Sequence, residues 1–147
     1  MYLVIIVRTF YIFKINSIFQ TFYNDKSNVL YKMFNDIYNS KNGDFMNNFR
    51  LFEKLTIPFD KKMLNNYILL KHSDDLYYRK RDNIHTIENQ EETTNIIINK
   101  TYLKLKSDVN FNTFIKDVIE INECLFAIDF QNEDYFWINK NTNKILV

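Results

Sequence analysis

Cys124, His72 and His85 are the side chains best suited to covalent or metal chemistry. A cysteine beside a histidine can lose its proton to the ring nitrogen and attack as a thiolate. Cys124, however, opens the apolar run Leu125 to Phe130, and a thiol in such a run behaves as a small packed hydrophobe. The three residues lie far apart with no ligand-like spacing, so no metal site is expected. Asp129, Glu133 and Asp134 offer paired carboxylates for acid and base work, but they sit at a strand end and in its turn, where carboxylates are ordinary surface groups. In Tyr77-Tyr78-Arg79-Lys80-Arg81, aromatic faces that can stack bases adjoin cations that can meet phosphate. A solvated strand end is the commoner fate of such a run, and no direct nucleic-acid contact is expected. Trp137, with Tyr135 and Phe136, reads as core. A single glycine in the chain rules out loops that cradle phosphate or dinucleotide with backbone N–H groups, and argues against a coenzyme A pyrophosphate loop. No catalytic residue and no cofactor are expected.

The elements that must position any site come from periodicity. A length of 147 residues predicts one domain, 1–147, able to bury roughly 70% of its unfolded surface. With 46% apolar and 17% aromatic residues the chain is too hydrophobic for disorder, and its one cysteine permits no internal disulfide, which suits a reducing cytoplasm. A balance of 19 basic against 18 acidic residues points to protein partners rather than polyanions. The opening run Tyr2 to Val7 is far shorter than the about 20 residues of a membrane span and lacks a basic n-region, so neither membrane attachment nor a signal peptide is expected. Residues 1–9 read as an N-terminal extension or an edge strand, with Phe10 to Ile15 continuing it or forming the first true strand.

Ser27 is expected to cap a helix carrying Leu30, Tyr31, Phe34, Ile37 and Tyr38, and Asn39 to Asp44, with Gly43, to form a loop. Phe45, Phe49, Phe52 and Leu55 predict a third helix ending before Pro58; Asp60 to Leu70 predicts another, with Met63, Leu64 and Tyr67 inward. Leu76, Tyr78 and Ile84 suggest one strand ahead of the acidic loop Glu88 to Glu92. Asn95 to Leu105 reads as strand and Asn110 to Ile121 as helix, followed by a hairpin of Leu125 to Phe130 and Tyr135 to Ile138. Helices early and strands late predict an α+β fold, with helices packed on a mainly antiparallel or mixed sheet.

Asn16 to Tyr38 carries more large apolar side chains than one buried helix face can use. If Asn16 or Ser17 caps a short helix, Ile18 and Phe22 stack four apart on one side and Phe19 and Tyr23 on the neighbouring side. One pair can enter the core, and the other is free to be a binding surface.

Two segments, Tyr11 to Tyr38 (YIFKINSIFQTFYNDKSNVLYKMFNDIY) and Cys124 to Asn139 (CLFAIDFQNEDYFWIN), resemble the opening strand and helices and the C-terminal pattern of the SirA family, sporulation inhibitors of replication. The resemblance implies a non-enzymatic protein with an acetyltransferase-like layer architecture that binds domain I of the replication initiator DnaA. It places the family's aromatic contact pair on Phe19 and Tyr23, with a further contact unassigned within Asn47 to Glu53. Where the family commonly has Tyr-Phe-Gly-Arg-Glu, this chain has Tyr23-Asn24-Asp25-Lys26-Ser27, and Asp25 is expected to take the left-handed turn position. The rival readings are an acetyltransferase-fold protein binding an acyl-coenzyme A or other small ligand, and a DNA binder acting through Arg79 to Arg81.

Overall fold

A computed structural model describes residues 6–40 and 45–138. Seven strands, β1 (Arg8–Lys14), β2 (Tyr78–Arg81), β3 (Ile84–Glu88), β4 (Thr93–Ile98), β5 (Leu103–Ser107), β6 (Leu125–Asp129) and β7 (Asp134–Ile138), form one sheet in the order β2-β3-β4-β5-β1-β6-β7. Every pairing is antiparallel. Five helices among the described residues, α1 (Ser17–Tyr23), α2 (Ser27–Tyr38), α3 (Phe45–Leu55), α4 (Lys61–His72) and α5 (Thr113–Ile121), pack with the sheet in the expected α+β fold.

The period-two alternation of the strands divides the core in two. Phe10 and Ile12 of β1, Ile96 and Ile98 of β4 and Leu103 and Leu105 of β5 face α4 and α5, where they meet Leu64, Ile68, Phe114 and Val118. Phe13 and Ile15 face the other way with Phe126 and Ile128, against Leu30 and Phe34 of α2 and Leu55 of α3. β6 is buried on both faces, which is why its sequence reads as an unbroken apolar run before Asp129. Side-chain caps start three of the helices. Asn16 accepts the N–H of Ile18, Asp60 that of Met63 and Asn112 that of Ile115, at 3.0, 3.1 and 3.0 Å.

Several expectations are corrected. β1 is an interior strand between β5 and β6, so Arg8 and Thr9 do not belong to an edge. Ile6 and Val7 are exposed and precede it; the remainder of the Tyr2 to Val7 run, and residues 41–44 of the loop expected around Gly43, lie outside the described residues. Ser27 is the first residue of α2 rather than its cap, and the residue ahead of it, Lys26, makes no side-chain capping bond. Met63 points outward and Ile68 takes the inward position, because Leu64 and Ile68, four apart, set the buried face of α4. The single strand expected around Leu76, Tyr78 and Ile84 is a hairpin, β2–β3, with Leu76 left 95% exposed. Asn95 to Leu105 likewise divides into parts of β4 and β5.

The turns explain part of this difference. Positive φ falls on Asp82, Cys124 and Glu133 among the described residues, at 54°, 57° and 53°. Asp82 and Glu133 turn the β2–β3 and β6–β7 hairpins without the glycine that marks such sites in a sequence. Each left-handed non-glycine residue costs on the order of 1 kcal/mol, which the paired strands on either side must offset. Asp25, by contrast, is not left-handed; Lys26, at φ −128° and ψ 42°, closes that corner with its N–H on the Tyr23 carbonyl at 3.0 Å.

Candidate functional site

α1 is a seven-residue helix that buries none of its residues. The backbone anchors it nonetheless: the Asn16 N–H donates to the Leu55 carbonyl at 2.8 Å, the Ile15 N–H to the Cys124 carbonyl at 2.8 Å, and Ile15 bridges Thr56. The start of α1 is thereby tied to the end of α3. Phe19 and Tyr23 are half-buried against the margin of the α2–α3 core, their rings stacked with centroids 6.4 Å apart and planes at 22°. Ile18 and Phe22 point outward, 73% and 57% exposed. Phe22 meets Tyr23 edge-on at 4.8 Å, and Lys26 Nζ stands 4.6 Å from the centre of the Phe22 ring. Neither four-apart pair enters the core fully. Phe19 and Tyr23 lean on it, and Ile18 and Phe22 extend the apolar surface beside them.

α3 continues this surface. Leu55 is buried and Leu51 and Phe52 are half-buried, while Met46 and Phe49 remain largely exposed. Between α2, α3 and the sheet lies a groove of about 380 Å³ whose walls include Tyr11, Phe34, Tyr38, Phe52, Tyr102 and Phe130.

The chemistry-bearing residues are placed apart. Cys124 is half-buried rather than packed away; its backbone is left-handed, and it lines a cavity of about 370 Å³ with Lys14, Asn122 and Glu123. Burial, and then Glu123, push its thiol pKa up, so the thiol stays protonated at neutral pH. Neither histidine lines that cavity. Asp129, expected at the surface, is buried: it accepts Arg8 Nε at 3.1 Å and Asn132 Nδ2 at 2.7 Å, while Arg8 also reaches Asp134 at 2.7 Å. These carboxylates clamp the β6–β7 turn to the start of β1. Trp137, expected in the core, is half-buried and packs on Phe126 at the margin of the α2–α3 core, with ring centroids 4.9 Å apart.

The two histidines, distant in sequence, share the ring of Phe114, at 5.8 Å for His72 and 6.1 Å for His85. His85 is fully buried between Tyr78 Oη, 2.6 Å from Nδ1, and Asn65 Oδ1, 2.7 Å from Nε2. Burial first, then Lys80 and His72, lowers its pKa to about 4, so the ring is neutral at pH 7. Burial, and then Asp117, pushes the Tyr78 phenol up to about 12. Asp117, also buried, faces Lys71 and His72, and Glu120 takes bonds from Tyr67 and Lys71. Sequence spacing held no sign of this network, whose members come from α4, β2, β3 and α5. Among the described residues no cluster of His, Cys, Asp and Glu could hold a metal ion, and no helix is long and apolar enough to cross a membrane.

A comparison with curated proteins finds no match. The model of the family described as "Sporulation inhibitor of replication protein SirA" matches residues 8–141. That span takes in every helix and strand given above, including α1 and the β6–β7 hairpin, and the chain therefore belongs to the SirA family.

Proposed function

We propose that this SirA-family chain blocks the start of DNA replication during sporulation by binding domain I of the initiator DnaA, without catalysis and in the cytoplasm. The observation that carries the reading is α1, which holds Ile18, Phe19, Phe22 and Tyr23 and buries none of them. An anchored helix with a contiguous apolar face marks a surface that another protein covers. Phe19 and Tyr23 act as the anchors, preset by their mutual stacking and by the core at their backs, and Phe22 enlarges the patch. Gln20 and Lys26 form the polar rim. Rigid aromatic anchors of this kind lose little rotamer freedom on binding.

The test is a calorimetric titration of purified DnaA domain I into the native chain and into Phe19→Ala and Tyr23→Ala. Saturable binding that weakens roughly 30- to 1,000-fold in each variant, with the variants still folded, supports the reading. Absence of binding by the native chain would falsify it, as would variants that bind normally. Acetyl-coenzyme A, titrated in the same cell, tests the rival; a saturable response there favours a small-ligand site.

A further inference from the structure

Among the described residues, the face of the sheet that carries α1–α3 is only half covered. Those helices pack on β1, β6 and β7 and reach Tyr102, just ahead of β5, and no residue of β2, β3 or β4 belongs to the core they form. The register of the bare half aligns its side chains in rows. One row runs Arg81, Ile84, Ile97, Lys104; the next runs Arg79, Thr86, Asn95, Lys106. Each row has a cation at both ends and uncharged residues in the middle. Beyond Lys104 and Lys106 the face ends at Tyr38 and Phe130.

Two cation pairs thus bracket a floor that is uncharged within these two rows, and the next row brings Glu88, opposite Thr93, onto the same face. Members of a pair lie two residues apart on one strand, about 7 Å, and the pairs are separated by three strand spacings, about 14 Å. Arg81, Lys104 and Lys106 form no ion pair among the described residues, and Lys104 Nζ sits 5.7 Å from the centre of the Tyr11 ring. Arg79 meets Glu88 at 3.4 Å with both side chains well exposed, a contact that water nearly cancels. The Asp129 carboxylate near the lysines is already held by Arg8.

We propose that this open half-face docks an acidic amphipathic helix of a partner protein. A helix about 10 Å across fits between the pairs, sets an apolar stripe on Ile84 and Ile97, and brings carboxylates on both flanks to the cations. Acidic residues four apart on a helix are about 6 Å apart, close to the spacing within each pair. Between the cation pairs the floor has no aromatic ring on which a base could stack, the rings of Tyr11, Tyr38 and Phe130 lying beyond the lysines, and this favours a protein over single-stranded nucleic acid. The surface is separate from α1, so the proposal does not depend on the DnaA reading.

The experiment uses the full chain and three probes followed by fluorescence anisotropy: a helical peptide with glutamates four apart on both flanks of a leucine stripe, the same peptide with glutamine for glutamate, and a twelve-residue oligothymidylate. The expected result is saturable binding of the acidic peptide that weakens as salt rises. The Arg81→Glu/Lys104→Glu variant should lose about tenfold or more in affinity. Lys61→Glu/Lys62→Glu, an equal charge change on the exposed first turn of α4, should lose little, with circular dichroism showing both variants folded. Equal losses in the two variants, equal binding of the glutamine peptide, or no saturation overturns the proposal. Tighter binding of the oligothymidylate through Arg81 and Lys104 also overturns it, in favour of a nucleic-acid surface.

Discussion

α5 and α1 are both short, both capped by an asparagine and both rich in large apolar residues, yet they are opposites in what they bury. α5 encloses Phe114, Ile115, Asp117, Val118 and Ile119, while α1 encloses nothing. On the α5 side even a carboxylate and an imidazole are drawn inside, and each is given partners: Lys71 and His72 for Asp117, Tyr78 and Asn65 for His85. On the α1 side the Phe22 ring is left exposed and those of Phe19 and Tyr23 half-buried, with no layer of described residues over them. A folded protein rarely retains both arrangements for the same purpose. The first holds the sheet together, and the second is the surface we propose for docking.

The sharpest way to break the contrast is to empty one ring from each helix. Phe114→Ala should destabilise the fold by about 3–5 kcal/mol in urea unfolding, since the ring is enclosed and the cavity cannot fully collapse. Phe22→Ala should stay within about 0.5 kcal/mol of the native chain and weaken only partner binding. A large stability loss from Phe22→Ala would place α1 on the structural side of the comparison.

Next in size are the two half-buried rings, which touch both roles. Phe19→Ala and Tyr23→Ala should each weaken DnaA domain I binding by about 2–4 kcal/mol and lower stability by about 1 kcal/mol, so that binding loss exceeds folding loss. Calorimetry beside urea melts gives both numbers. The reverse ranking would make the rings core residues whose outer edges happen to show.

Acid probes the closed side alone. His85 is held neutral down to about pH 4 in the folded chain, against an ordinary 6.5 when unfolded. The unfolded chain therefore binds the extra proton between these values, and stability is complete above pH 6.5 and lost as pH falls toward 4. Between pH 7 and pH 5 the loss is on the order of 2 kcal/mol. In His85→Gln this part of the pH dependence should flatten, and an unchanged acid limb would show that other groups carry it. The smallest effect is expected from Asn16→Ala, which removes the cap of α1 at about 1 kcal/mol of local helix stability. Hydrogen exchange should then rise in 17–23 while 113–121 stays protected.

Much of the fold was legible because its cause is local. The stripe in Asn110 to Ile121 and the unbroken run in Leu125 to Phe130 report burial directly, and both elements lie where the patterns place them. The β2–β3 hairpin was not legible, since its turn uses Asp82 instead of glycine and its edge strand is polar. The histidine network was invisible for another reason: Asn65, His72, Tyr78, His85 and Asp117 meet only after α4 and α5 have packed on the same sheet face.

Composition and periodicity alone determined an α+β chain with a real core, no phosphate-cradling loop, and an α1 that carries two apolar pairs. They could not determine which pair would lean inward, or that cations from β2 and β5 would line one open face. Spacing along a helix or strand is set by the nearest few bonds, and so it can be read from a sequence. Whether a given face is covered depends on which distant element packs against it, and the tertiary structure alone decides that.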